Sequence, residues 1–167
     1  MVENIRVLVV DDEPPARQRI TDLLRQDPHV TAVLEAGDGL TAVKMIETEQ
    51  LDLVFLDVQM PELDGVGVLD AIEPEKMPLI VFVTAYDEHA IRAFESNALD
   101  YLLKPFSDER MEATLQRARA RLAERKAGQF GQSVLDMMSA LPRDGERHLD
   151  RLIVKSAGVT YFVRVTE

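Results

Sequence analysis

Cysteine is absent from this 167-residue chain. Its absence excludes a disulfide framework, a thiolate metal site and a cysteine nucleophile. Long apolar runs are missing as well, and nothing approaches the ~20 consecutive apolar residues of a membrane span. The N-terminal stretch sets acids at Glu3, Asp11 and Asp12 around a short apolar run, which is not the form of a signal peptide. A soluble, cytoplasmic protein with no membrane partner is the expectation. Neither an internal repeat nor a low-complexity tract occurs. Basic charge is scarce in the longer part of the chain. Residues 1–127 hold 14 Lys and Arg against 25 Asp and Glu, net −11, whereas residues 128–167 hold five of each. Such acidity disfavours phosphate backbones and points to cations, proteins or small anions held by a few well-placed groups.

What is present is a core. Hydrophobic residues make up 46% of the chain, and its length suits one domain plus a remnant. Apolar runs recur at Val7–Val10, Val30–Leu34, Leu53–Leu56, Leu79–Val83 and Tyr101–Leu103. Between them lie helically spaced segments: Ile20, Leu23 and Leu24; Leu40, Val43 and Ile46; Val66 to Ile72; and roughly Glu88 to Glu95. Pro15 suits the first turn of the first helix. A fifth helical segment opens with Ser107 as N-cap and Asp108 and Glu109 in its first turn, then continues to about Ala127. Strand and helix alternating five times predict an α/β fold, a doubly wound five-stranded parallel sheet with helices on both faces. Beyond it, "KAGQFGQS" reads as a linker and Val134–Leu141 as a short further helix ended by Pro142. "RLIVK–SAG–VTYFVRV" reads as a β-hairpin with a three-residue loop.

The polar residues sort by strand ends. Val7–Val10 runs straight into Asp11 and Asp12, two adjacent acids that repel each other. Either the strand ends at the surface and the acids are solvated, or a cation belongs beside them. In open parallel sheets, sites form outside the carboxyl ends of the strands. Asp57 follows the third run, Thr84 the fourth and Lys104 the fifth. With strand order 2-1-3-4-5, the three carboxylates crowd one crevice flanked by Thr84 and Lys104. Such a cluster suits a hard divalent cation, Mg²⁺, with Asp12 and Asp57 as direct ligands, Asp11 acting through water and the Gln59 backbone carbonyl beside them. With its charge offset, the Asp57 carboxylate can accept a phosphoryl group, with Lys104 as a second cation and Thr84 as a hydroxyl donor. Arg117, Arg119, Arg121 and Arg125 are read as partners of the helix dipole and of nearby acids, not as nucleic-acid contacts.

The segments "VLVVDDEPPAR", "LVFLDVQMPELDG", "VTAYDEHAIRAFE" and "DYLLKPF" resemble the receiver domain of bacterial two-component response regulators over about residues 4–124. The resemblance implies a flavodoxin-like (βα)5 fold in which Asp57 accepts a phosphoryl group from a sensor histidine kinase. It implies Mg²⁺ held by Asp11, Asp12, Asp57 and the Gln59 carbonyl, with Lys104 as ion-pair partner of the phosphoryl group. It also implies Thr84 and Tyr101 as a switch pair and a cis peptide bond between Lys104 and Pro105. A homodimer on phosphorylation is the expected readout. "DDEPPAR" and "AYDEHAIRAFESNALDYLLKPF" are similar to the LytTR-type subgroup, and "RLIVKSAGVTYFVRVTE" resembles the opening strands of its DNA-binding domain. The resulting division is a receiver over 1–127, a linker over 128–148 and a truncated start of the output domain over 149–167, with DNA bound only through the full-length output domain. The chain reads as a phosphoacceptor and not as an enzyme.

Two other classes bear on the same residues. A haloacid-dehalogenase-type phosphohydrolase needs a second acid two residues beyond its nucleophile, where this chain has Gln59, which cannot transfer protons. A phosphorylation-independent interaction module on the same fold would not require the full set of acceptor residues. A nucleotide-binding flavodoxin-like protein would carry a glycine-rich loop after the first strand, and none is there. Tyr86, two residues past Thr84, is placed to hinder water attacking an acyl phosphate and so to slow dephosphorylation.

Overall fold

The structure, a computed structural model, describes residues 4–85, 98–140, 151–156 and 159–164. The chain divides into two compact units, one running to Arg119 and one from Ala120 onward. In the first, strands β1 (Ile5–Val10), β2 (Val30–Ala36), β3 (Leu53–Asp57), β4 (Leu79–Thr84) and β5 (Asp100–Leu103) form one sheet in the order β2-β1-β3-β4-β5. All four pairings are parallel. The apolar runs explain the order. Every residue of β3 and β4 is buried, as a strand covered on both faces requires, whereas the edge strand β2 is only half-buried along most of its length.

Helices α1 (Pro14–Arg25), α2 (Gly39–Thr48) and α3 (Gly65–Asp70) lie between strands, with a short 3₁₀ turn at Pro74–Lys76. Helix α4 (Asp108–Ala140) follows β5. Alternation along the strands sends Leu8, Val10, Val54, Leu56, Ile80 and Phe82 into one cluster with Ala42 and Ile46 of α2 and Val68 of α3. The intervening residues Val7, Val9, Phe55 and Val81 are equally buried on the opposite face, where α1 contributes Ile20 and Leu24 and α4 contributes Met111, Leu115 and Ala118. The apolar side chains of each parallel strand thus need both helical layers.

Local chemistry sets the helix starts. Pro14 and Pro15 occupy the first turn of α1, where a missing N–H costs nothing. Asp38 and Asp64 cap α2 and α3, accepting from the Thr41 N–H at 2.7 Å and the Gly67 N–H at 2.8 Å. Ser107 caps α4, its Oγ accepting from the Arg110 N–H at 3.1 Å. Gly65 is required by close approach. A Cβ there would lie 2.6 Å from the Asp57 carbonyl oxygen, so any side chain would push the β3–α3 loop off the end of β3.

Three expectations shift. Helix α3 ends at Asp70 instead of Ile72. The last helix does not stop near Ala127 but runs unbroken to Ala140, through "KAGQFGQS" and into the segment expected to form a separate helix. Glycine is a weak helix former, at about 1 kcal/mol below alanine, but the Gln, Leu, Met and Ala residues around Gly128 and Gly131 propagate the helix, and no proline interrupts before Pro142. Strands β6 (Arg151–Ser156) and β7 (Val159–Arg164) pair antiparallel from Arg151↔Arg164 to Ser156↔Val159, leaving two residues between them, not three. The expected helix near Glu88–Glu95 and Tyr86 lie outside the described residues. Among the described residues no helix is long and apolar enough to cross a membrane.

Candidate functional site

The sheet order makes β1 and β3 neighbours and brings their carboxyl ends together. Asp11, Asp12 and Asp57 each offer a carboxylate oxygen within 4.8 Å of the others. Asp11 is fully buried and Asp57 nearly so, while Asp12 is exposed. The two adjacent acids differ in their anchoring: Asp11 is tied in by the Glu13 N–H and Lys104, whereas Asp12 lies in the bend that follows the strand.

Asp11 is held from every direction. Its Oδ1 accepts from the Glu13 N–H at 2.9 Å, its Oδ2 from Lys104 Nζ at 2.8 Å, and its backbone carbonyl from Arg17 Nη1 at 2.8 Å. Lys104 is placed by the sheet, since its N–H donates to the Thr84 carbonyl at 2.8 Å. The peptide bond between Lys104 and Pro105 is cis. From there Nζ also lies 3.6 Å from Asp57 Oδ2. Asp57 accepts from the Gln59 N–H at 3.1 Å through Oδ1. Among the described residues Asp12 has no hydrogen-bonding partner, although it lines an open groove of about 530 Å³ with Asp38, Pro61 and Glu62. A roomier groove of about 720 Å³ between α1 and α4 contains none of the three acids, and its lining offers no comparable convergence.

Burial above all pushes the Asp57 carboxyl up to about 6; Lys104 opposes that rise, and Asp11 and Asp12 add to it. Burial alone would lower the Lys104 ammonium, but its bond to Asp11 and the charge of Asp57 hold it above the ordinary lysine range. Three carboxylates against one ammonium leave the cluster two charges short of neutral. Oxygen donors, two of them buried, with a deficit of two charges fit a hard divalent cation.

Thr84 is buried at the end of β4. It pairs with Leu103, and Phe82 pairs with Tyr101, so Thr84 and Tyr101 lie on the same face of adjacent strands. The half-buried Tyr101 ring packs against the cluster that holds Phe82. Its backbone is clamped on both sides: the Tyr101 N–H donates to Asp100 Oδ1 at 2.9 Å, and its carbonyl accepts from Arg110 Nη2 at 2.9 Å. Asp100 is itself bound by both Arg110 nitrogens, at 2.8 and 2.9 Å, and by Thr114 Oγ1 at 3.0 Å.

Sequence reasoning missed Arg17 and this clamp. Arg17 stands in plain view in "DDEPPAR", but nothing in its local sequence says that its guanidinium reaches the Asp11 carbonyl and Glu35 together. Three arginines of α4 do pair with acids: Arg117 with Asp100, Arg119 with Asp27 and Glu112, Arg121 with Glu124. The helix runs on to Ala140, however, so Arg117, Arg119, Arg121 and Arg125 lie along its middle and not at the C-terminal end where its dipole would favour them.

Comparison with known proteins bears directly on this arrangement. The family model for the response regulator receiver domain matches residues 7–116. The chain is 49% identical over 113 residues to the "uncharacterized response regulatory protein" of Yersinia pestis, an alignment that takes in 68% of this chain and 48% of that one. It is 44% identical over 115 residues to the transcriptional regulatory protein BtsR of Salmonella typhi, covering 69% of this chain and 48% of BtsR. The chain thus spans about half the length of these curated relatives. Among solved structures, the response regulatory domain of mrkE from Klebsiella pneumoniae superposes with a TM-score of 0.64 at 35% identity, covering 70% of this chain and 97% of that one. Fold, site and sequence agree, and this chain belongs to the family of response regulator receiver domains.

Proposed function

We propose that Asp57 is the phosphoacceptor, taking a phosphoryl group from a phosphohistidine on a sensor histidine kinase with Mg²⁺ held by Asp11, Asp12, Asp57 and the Gln59 backbone carbonyl. The observation that carries this reading is the convergence of three carboxylates within 4.8 Å with Lys104 Nζ between Asp11 and Asp57. An Asp57 carboxylate oxygen attacks phosphorus, an O–P bond forms, the P–N bond breaks, and the imidazole leaves with the electron pair. Mg²⁺, when bound, neutralises charge on the transferring oxygens. Both Asp11 oxygens already accept hydrogen bonds, which leaves Asp12 and Asp57 as the direct ligands and Asp11 as a water-mediated one. Lys104 pairs with the phosphoryl oxygens, and the Thr84 hydroxyl turns toward them, vacating space for the Tyr101 ring. That rearrangement favours a homodimer. Tyr86 stands in the proposal as a brake on hydrolysis.

The same reading makes residues 1–127 the receiver, 128–148 a connecting segment and 149–167 the opening strands of a LytTR-type DNA-binding domain through which transcription is controlled. The antiparallel pairing of β6 with β7 supports the last assignment. The deciding experiment is intact-mass measurement after incubation with acetyl phosphate and Mg²⁺. A single phosphoryl adduct that is absent from Asp57→Asn is expected; an adduct that survives the substitution, or none in the wild type, defeats the assignment.

A further inference from the structure

Helix α4 carries two apolar stripes that are out of phase. The first, Met111, Leu115, Ala118 and Leu122, is buried. Continued at the same phase it becomes Arg125, Gln129, Gln132 and Asp136, a polar face on which Gln132 donates to Asp136 at 3.0 Å. The second stripe begins where the first fades. Ala120, Ala123, Ala127, Phe130, Val134 and Met137 follow one another at spacings of 3, 4, 3, 4 and 3. Phe130 is 64% exposed and Met137 71% exposed.

Among the described residues, a side chain added at Gly128 or Gly131 would meet nothing within 4 Å, so neither glycine is there to admit a neighbour. A helical segment with two glycines and with Phe130 and Met137 largely exposed is marginal by itself. Its persistence to Ala140 calls for a surface to cover the second stripe.

We infer that this stripe is the seam of a parallel two-stranded coiled coil with a second copy of the chain. The 3-4 spacing is that of a and d positions, and a seam of this kind is complementary to itself. Alanines at the first three seam positions allow close approach, and Phe130, Val134 and Met137 supply the larger knobs. The positions flanking the seam favour the parallel arrangement. In-register pairing sets Arg119, already held by Asp27 and Glu112 of its own chain, opposite Glu124 and sets Lys126 opposite Gly131, so no like charges face each other. Leu135 is also exposed but lies off the seam. The seam differs from a phosphorylation-driven interface in that it does not depend on Asp57.

The absence of cysteine makes the test clean. In the full 167-residue chain, a single Val134→Cys substitution under a mild oxidant is expected to give mostly disulfide-linked dimer, and Gln132→Cys on the opposite face at least several-fold less. Sedimentation at micromolar concentrations is expected to give a dimer for the wild type, Asp57→Asn and Leu135→Glu. Phe130→Glu and Met137→Glu are expected to shift the mass toward monomer while keeping acetyl-phosphate labelling and helical circular dichroism. A monomeric wild type overturns the inference, including the case where Val134→Cys is shielded by its own chain. So does a dimer indifferent to both seam substitutions. Failure of the phosphoacceptor reading would appear only in the labelling.

Discussion

Asp57 and Asp100 are aspartates on strands of one sheet, both buried and both within reach of a cation, yet their surroundings push them in opposite directions. Burial drives Asp57 up to about 6. Burial acts on Asp100 in the same sense, but Arg110, the Tyr101 N–H and Thr114 more than compensate and hold its carboxyl below the ordinary range. The difference is one of satisfaction. Each Asp100 oxygen accepts two hydrogen bonds, and Arg117 stands at 3.1 Å besides. Asp57 has one N–H on Oδ1, a lysine 3.6 Å from Oδ2 that is closer to Asp11, and two like charges as neighbours. A closed carboxylate joins parts of the fold. One left half-satisfied at the end of a strand is ready for something from outside.

The comparison breaks most visibly at Asp100. Asp100→Ala leaves the Arg110 guanidinium and the Thr114 hydroxyl without their buried acceptor, and should cost about 3 kcal/mol in urea unfolding. The substitution Asp57→Asn should go the other way. A raised carboxyl means that the folded state holds a proton the unfolded state has lost, so stability falls as pH rises from about 4 to 6 and stays low above that. The full shift is worth roughly 3 kcal/mol, and solvent at the rim of the site reduces it to about 1–2 kcal/mol. Asp57→Asn should therefore stabilise the metal-free protein at neutral pH and lose that advantage near pH 4, the ordinary carboxylate range. Asp100 follows the opposite sign: its contribution is present above the ordinary carboxylate range and is lost as pH falls below it. Thermal melts of Asp57→Asn and Asp100→Asn across pH separate the two windows, and curves that run parallel would undo the comparison.

A cation should sharpen it. Asp12→Ala removes an exposed acid that bears little on stability, yet it should weaken Mg²⁺ binding by about tenfold or more, because affinity follows the count of charged ligands. Titration calorimetry measures this directly, and an unchanged affinity would remove Asp12 from the ligand set. The smallest effect belongs to Arg117. Its side chain is 60% exposed although it reaches Asp100 at 3.1 Å, so Arg117→Ala should change stability by no more than about 0.5 kcal/mol. A loss as large as that of Asp100→Ala would mean that the outer arginine, not Arg110, closes the carboxylate.

The acid cluster was legible because strand ends are legible. Five apolar runs stop at Asp11, Asp57, Thr84 and Lys104 or at the start of α2, and topology does the rest. The clamp was not legible. Asp100 sits at the start of a strand, where an acid reads as a turn residue, and its meaning comes from Arg110 and Thr114 one and two turns into α4. The Asp27–Arg119 pair joins residues 92 positions apart, a separation on which local pattern is silent. The end of α4 was misread for a different reason. Glycine weighs against helix in any local reading, while a preceding stretch of strong helix formers can carry the chain through it.

By itself the sequence determined the alternation of strand and helix and the presence of four chemically apt residues at strand ends, with the sheet order entering as a condition that the structure meets. These follow from periodicity and chain connectivity, which are properties of neighbours along the chain. Only the tertiary structure decided that Asp11 is buried while Asp12 is exposed, that Lys104 leans to Asp11 more than to Asp57, and that Asp57 rises while Asp100 falls. Burial and charge act through space with a strength set by distances of a few ångströms, and those distances exist only once strands distant in sequence lie side by side.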